Sequence, residues 1–215
     1  MLSAILELLF PRVCIGCGRS GAALCAICER SITAKPVTLD GGVAALYEYR
    51  NPLVKKAIWR LKFRNDRAMG AYFGVALYRE FFRNMLALPD HARTTVILVP
   101  IPLSRTKGFL RPFNHAEVIA QTIAEYAEAD QLPIELRSDL LRKTRDTRSQ
   151  VETIGRDERL RNLEGAFKVE LPSELRDATI VLIDDVVTTG ATMREAKRAF
   201  QGAGAKRVLG LAVAH

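Results

Sequence analysis

Apolar and polar residues along this chain follow two rhythms, one of amphipathic helices and one of buried strands. Val43–Tyr49 is apolar and rich in β-formers, which predicts a strand. Asn51-Pro52 then opens a run with Leu53, Val54, Ala57, Ile58 and Leu61 at helical spacing, while Lys55, Lys56, Arg60 and Lys62 take the other face. This predicts a helix over Leu53–Leu61 and a second over Arg67–Leu88, stopped before Pro89. Thr95–Val99 and Thr179–Asp184 are short unbroken apolar runs, the pattern of strands buried on both faces, and Arg207–Val213 predicts another. Glu135–Leu141 and Ala166–Val169 read as shorter strands. Asn114 is placed to cap a helix reaching about Glu128, and a further helix is expected over Ala191–Gln201. Strands alternating with helices predict an α/β fold, a mostly parallel sheet with flanking helices.

Three details depart from these rhythms. Met1–Phe10 carries Leu2, Ile5, Leu6, Leu8 and Leu9 with a single charge, Glu7, and reads as a short helix stopped by Pro11. Its expected role is packing against the residues that follow, ahead of lying on a membrane surface. It lacks the basic start and small-residue cleavage site of a secretion signal. Arg142–Asn162 is polar, arginine-rich and weakly periodic, which predicts a long loop with at most one helical turn, either a functional lid or a disordered segment. Trp59, beside Ile58, reads as core ahead of a stacking surface.

Composition narrows the classes. Of 215 residues 48% are hydrophobic, enough to build a core, so a disordered chain is excluded. No run of about 20 apolar residues is present, so no transmembrane helix is expected. Lys and Arg number 32 against 24 Asp and Glu, a formal charge of +8, which suits a polyanion or a phosphorylated ligand without choosing between them. The charge is concentrated: Arg50–Arg67 holds seven bases and one acid, Asp66.

The four cysteines form one cluster, Cys14, Cys17, Cys25 and Cys28, as two CxxC pairs. Four thiolates at this spacing suit a closed tetrahedral zinc site, with two ligands from each of two tight turns. Gly16 and Gly18 fit the first turn. A pair of disulfides would need an oxidising compartment, and a redox CxxC expects a single pair beside a strand–helix unit. Structural zinc is the favoured reading. The expected division is a zinc module over 1–36 and an α/β domain over 37–215.

The chemistry concentrates in Ile180-Val181-Leu182-Ile183-Asp184-Asp185-Val186-Val187-Thr188-Thr189-Gly190-Ala191-Thr192. A strand ends in two carboxylates at the edge where open α/β sheets bind ligands. A Thr- and Gly-rich turn then enters a helix, so backbone N–H groups, a helix N-terminus and hydroxyls converge on the space of one phosphate. The carboxylates would repel that phosphate. They are placed to accept hydrogen bonds from sugar hydroxyls or to hold Mg²⁺. A Walker-type or phosphatase site would need a second motif that the chain lacks.

This stretch resembles the phosphoribosyl pyrophosphate (PRPP) signature of type I phosphoribosyltransferases. More of the chain resembles the ComF/GntX family: Leu8–Cys14, the twin CxxC, Val99–Leu103, Arg111–Glu117, and Arg142–Phe167 with Thr147, Gln150, Arg159 and Asn162. One departure is Pro112, where that family usually has glycine. The resemblance implies a zinc-ribbon module joined to a type I phosphoribosyltransferase-like domain. On it, Asp184 and Asp185 are the catalytic pair and hold the ribose. Val187, Thr188, Thr189, Gly190, Ala191 and Thr192 complete the PRPP site, with Mg²⁺ bound alongside. Arg105, Lys107 and Arg111 are expected at the pyrophosphate, and Arg142 and Arg145 on the lid. The family is associated with natural competence and the inward movement of transforming single-stranded DNA. It implies a cytoplasmic protein, or one peripheral at the inner face of the membrane beside a DNA-uptake machinery. Lys55, Lys56, Arg60, Lys62 and Arg64 are then the expected DNA contacts. Two other functions stay open: nucleobase salvage, for which no base pocket is visible, and a non-catalytic module that senses PRPP or a nucleotide and binds single strands.

Overall fold

A computed structural model describes residues 13–83, 95–103, 112–144, 165–170, 175 and 178–215. In chain order the elements are α1 (Ala26–Glu29), β1 (Val37–Leu39), β2 (Val43–Tyr47), α2 (Pro52–Phe63) and α3 (Arg67–Leu77), which a π-helical turn, Tyr78–Phe82, continues. There follow β3 (Val96–Pro100), α4 (His115–Ala129), β4 (Ile134–Leu136), β5 (Leu141–Lys143), β6 (Phe167–Val169), β7 (Thr179–Val186), α5 (Ala191–Gly202) and β8 (Arg207–Ala214).

Six strands form one sheet in the order β1-β2-β8-β7-β3-β4. Every pairing is parallel except β1 with β2. Strand β7 shows why the sheet is sandwiched. Its successive side chains point to opposite faces, and both are apolar. Val181 and Ile183 enter one buried cluster with Val54, Ile58 and Leu61 of α2, Phe73 and Leu77 of α3, and Ile119 and Ile123 of α4. Ile180 and Leu182 enter the other, with Met193, Ala196 and Phe200 of α5. The expected α/β architecture is therefore present, with helices on both faces.

The helix starts are fixed by side chains that meet orphan N–H groups. Asn51 Oδ1 accepts from Leu53 N at 2.9 Å, with Pro52 in the first turn. Asn114 Oδ1 accepts from Ala116 N at 3.2 Å. Helices α3 and α4 approach closely through two glycines. A Cβ on Gly74 would lie 2.6 Å from Thr122 Cβ and 2.8 Å from the Ile119 carbonyl oxygen, and one on Gly70 would lie 2.7 Å from Val118 Cγ1. Backbone cannot retreat as a side-chain tip can. Gly74→Ala is therefore expected to destabilise the fold by about 1–3 kcal/mol through overpacking. Thermal unfolding checks this; an unchanged melt would show that the helices can spread.

Four sequence expectations are corrected. Glu135–Leu141 is not one strand. Ile134–Leu136 pairs with β3, and Leu141–Lys143 pairs with β6 in a separate two-stranded antiparallel sheet. The polar Arg137-Ser138-Asp139 between them turns the chain, with Arg137 Nε on Asp139 Oδ1 at 2.9 Å. Arg142, expected on the lid, is a β5 residue paired with Lys168. Trp59 is not core: it is 48% exposed although Ile58 is 1% exposed. Adjacent helical residues point about 100° apart, so burial of one does not carry its neighbour inward. The second helix, expected over Arg67–Leu88, is α-helical over Arg67–Leu77 and continues as the π turn Tyr78–Phe82, while residues 84–88 lie outside the described residues. Residues 1–12, residues 104–111 with Arg105, Lys107 and Arg111, and residues 145–164 with Arg145 lie outside the described residues. Among the described residues no helix is long and apolar enough to cross a membrane.

Candidate functional site

The cysteine cluster is built from two turns. Gly18 N donates to the Cys14 carbonyl at 3.0 Å and Cys14 N to the Arg19 carbonyl at 2.8 Å, folding the first CxxC tightly, with Gly18 at φ 76°. Cys25 caps α1 and Cys28 lies within it. Gly16 is required by proximity: a Cβ there would sit 2.5 Å from Cys28 Sγ. The four Sγ atoms lie within 4.8 Å of one another, and the cysteines are not disulfide-bonded. A tetrahedron with Zn–S bonds of about 2.3 Å needs sulfurs at about 3.8 Å. The chemistry of the set points the same way. Burial pushes the Cys14 thiol up, but backbone N–H groups of Cys17, Cys25 and Gly16 outweigh it and lower the value to about 6. Burial and the neighbouring sulfurs of Cys25, Cys17 and Cys14 push Cys28 up to about 12. A divalent cation removes that conflict by compensating all four thiolates. The donor set can thus bind a metal such as zinc, and with four cysteine ligands no position is left for substrate.

This module is not an isolated bead. Cys14, Ile15, Leu24 and Ile32 belong to the same buried cluster as α2, α3 and α4. Arg60 reinforces the contact, donating from Nη1 to the Val13 carbonyl at 3.1 Å and pairing with Asp66 at 2.8 Å. Arg60, expected among the DNA contacts, is placed in a structural brace.

At the C-terminal end of β7 the predicted residues come together. Asp184 Oδ1 accepts from Asp185 N at 2.8 Å, and the Asp185 residue is 9% exposed. Val187 is buried, Thr188 exposed, and Thr189 and Gly190 half-buried; Ala191 and Thr192 begin α5. Gly190 caps that helix at φ 70°, a left-handed conformation that glycine adopts without steric cost. A cavity of about 110 Å³ is lined by Val187, Thr188, Thr189, Gly190, Arg194 and Asp40, among others. That is well below a drug-sized pocket and suits a single phosphate group.

Two residues meet Asp185 that the sequence reading assigned elsewhere or not at all. Lys62 Nζ lies 2.8 Å from Asp185 Oδ1, and His115 Nδ1 lies 3.9 Å from Oδ2. The Lys62 side chain is half-buried at the margin of α2, its ammonium turned to Asp185, while Lys55 and Lys56 stand in solvent. His115 opens α4 and is 1% exposed. Asn114 places it, donating from Nδ2 to the Ile101 carbonyl at 3.0 Å, while Phe113 packs edge-on against its ring at 5.3 Å. The Arg67 guanidinium stands 4.6 Å over Phe113. Pro112 lies exposed in the bend before this segment. Arg194 is the third residue missed, four positions after the capping glycine and lining the cavity. Only its spacing one helical turn beyond Gly190 signalled it.

Of the remaining expected DNA contacts, Lys55 and Lys56 are exposed on α2 and Arg64 is exposed at its C-cap. Trp59 and Phe63 (59% exposed) accompany them with ring centroids 5.7 Å apart, and Arg64 lies 5.8 Å over the Trp59 ring.

Comparison with known proteins gives a phosphoribosyl transferase domain matched over residues 115–215. Competence protein F of Haemophilus influenzae is 26% identical over 156 residues, 70% of this chain and 63% of that protein. DNA utilization protein YhgH of Escherichia coli K12 is 34% identical over 110 residues, 51% of this chain and 42% of that protein. Competence protein ComFC of Bacillus subtilis is 29% identical over 190 residues, 86% of this chain and 70% of that protein. The chain thus spans less than two thirds of the length of the first two.

Proposed function

We propose that this chain, a member of the ComF family, binds a PRPP-type phosphorylated pentose at the β7–α5 turn and acts in the uptake or handling of transforming DNA. The observation that carries the ligand is the union of two carboxylates and a phosphate-sized cavity on one strand–turn–helix unit. The competence and DNA-utilization names of its relatives support the process.

In this reading Thr188, Thr189 and the Gly190–Thr192 backbone hold the 5′-phosphate, with Arg194 neutralising it. Asp184 and Asp185 accept the ribose hydroxyls and offer oxygen ligands to Mg²⁺, which would supply charge compensation at the diphosphate. Where transfer occurs, the bond from C1 to the pyrophosphate oxygen breaks with its electron pair, the acceptor bonds to C1, and pyrophosphate departs. The positive charge developing on the sugar ring favours the nearby carboxylates. The test is a melting curve with millimolar PRPP and Mg²⁺, followed by mass spectrometry for pyrophosphate release across bases, nucleotides and single-stranded DNA. A raised melting temperature supports the site. An unshifted melt removes it, and release with one acceptor class names the reaction.

The exposure of Trp59 and Phe63 beside Lys55, Lys56 and Arg64 favours a second property, binding of single-stranded DNA. Bases stack on aromatic faces while the cations meet phosphates, and each stacked base contributes about 1–3 kcal/mol. Trp59→Ala is expected to weaken binding of a labelled single strand by roughly 5- to 150-fold, with little change in melting temperature because the ring is half-exposed. Binding should also fall steeply with salt. Affinity unchanged by the substitution would place the strand elsewhere.

A further inference from the structure

We infer that Lys62 is a movable cation that selects diphosphorylated over monophosphorylated pentoses: it pairs with Asp185 in the conformation described, and transfers to the ligand's diphosphate when a ribose hydroxyl takes that carboxylate. The inference rests on the reading of the site proposed above. Its starting point is competition. Asp185 is the carboxylate set to accept a ribose hydroxyl, yet Lys62 Nζ stands 2.8 Å from Oδ1 and His115 Nδ1 3.9 Å from Oδ2. A sugar hydroxyl approaching Oδ1 therefore meets the ammonium first.

The geometry lets the ammonium move and keeps its helix still. Leu61 is 0% exposed and Ile58 1% exposed, so the α2 backbone is locked into the core. The Lys62 side chain is 23% exposed and ends on a flexible four-carbon stem with three rotatable donors. A half-buried ammonium that leaves a carboxylate needs another anion. The phosphate cavity does not supply it, because Arg194 lines that cavity and Lys62 does not. A diphosphate on C1 of a sugar whose hydroxyls sit at Asp185 does supply it. A monophosphorylated pentose carries no such group, so for that ligand the opening of the Lys62–Asp185 pair is an uncompensated cost. Lys62 thus opposes the monophosphate and favours the diphosphate.

The test is calorimetric titration of the full chain, zinc-loaded and with Mg²⁺, using PRPP and ribose 5-phosphate on wild type, Lys62→Met and Lys62→Gln. The expected result is a split. Both variants bind PRPP at least tenfold more weakly and bind ribose 5-phosphate equally well or more tightly. Parallel loss of both ligands would reduce Lys62 to a structural support, and unchanged PRPP affinity would remove it from the diphosphate; either overturns the inference while leaving the site. Wild-type protein that binds neither sugar overturns the reading of the site itself. Two variants of different polarity are read so that a folding defect in one, visible in its melt without ligand, does not decide the outcome.

Discussion

Stripping metal from the Cys14–Cys17–Cys25–Cys28 cluster is expected to lower the melting temperature of the whole chain, not of its first residues alone. The reason is where the cluster's neighbours lie. Cys14, Ile15, Leu24 and Ile32 share the buried cluster that packs α2, α3 and α4 against the sheet. Without a cation, burial and the sulfurs of Cys25, Cys17 and Cys14 oppose ionisation of Cys28, whose thiol is pushed up to about 12 while Cys14 is lowered to about 6. Four thiolates cannot then be held together, and the two turns lose the link between them. Structural zinc sites contribute on the order of 10 kcal/mol of apparent binding energy. Transmission of even about 3 kcal/mol to global unfolding would lower the melting temperature by roughly 6–12 °C for a chain of this length. Metal analysis should find about one zinc per chain, given full Cys₄ coordination. Cys14→Ser should reproduce the loss of both metal and stability. A stripped chain that melts where the zinc-loaded chain does would refute the site.

The second large effect is expected at Asp185. PRPP present at a hundredfold its dissociation constant adds about 2.7 kcal/mol of stability, a rise of roughly 5–11 °C in melting temperature at this chain length. Asp185→Asn should abolish most of that rise. The amide keeps the volume but loses the charge that holds Lys62 at 2.8 Å and that would accept a ribose hydroxyl or sit beside Mg²⁺. Without ligand the variant should also melt somewhat lower, because Lys62 is left without its carboxylate partner. Thermal scans with and without PRPP separate the two effects. A full ligand shift in the variant would exclude Asp185 from the binding site.

Much of the architecture was legible because local patterns specified it. Buried strands announced themselves as Thr95–Val99, Thr179–Asp184 and Arg207–Val213, since a strand covered on both faces has no polar alternation. Asn51 and Asn114 marked helix starts, by a Pro in the first turn and by capping chemistry, whereas Asp66, which caps α3, had read only as a charge. The Asp184–Thr192 stretch placed its carboxylates and its turn at one sheet edge, because strand, turn and helix are contiguous. The errors came where contacts are not local. Glu135–Leu141 read as one short strand, yet its ends pair with different partners, β3 and β6. Trp59 looked like core because Ile58 is core, whereas a single helical step turned it to solvent.

The sequence by itself determined the cysteine cluster, the mostly parallel sheet and the carboxylate–turn–helix unit, since each depends on residues close in the chain or on a period the backbone imposes. Tertiary structure alone decided how the positive charge is divided. The bases of Arg50–Arg67 read as one patch, but Arg60 braces the cysteine module, Lys62 reaches Asp185, and Lys55, Lys56 and Arg64 stay in solvent beside exposed Trp59. His115 likewise joined Asp185 only when α4 was laid against the end of β3 through Asn114. Asp185 and Lys62 are 123 residues apart, and no local propensity carries information across that distance. Packing of two helices and a strand at one sheet edge brought them within an ion pair.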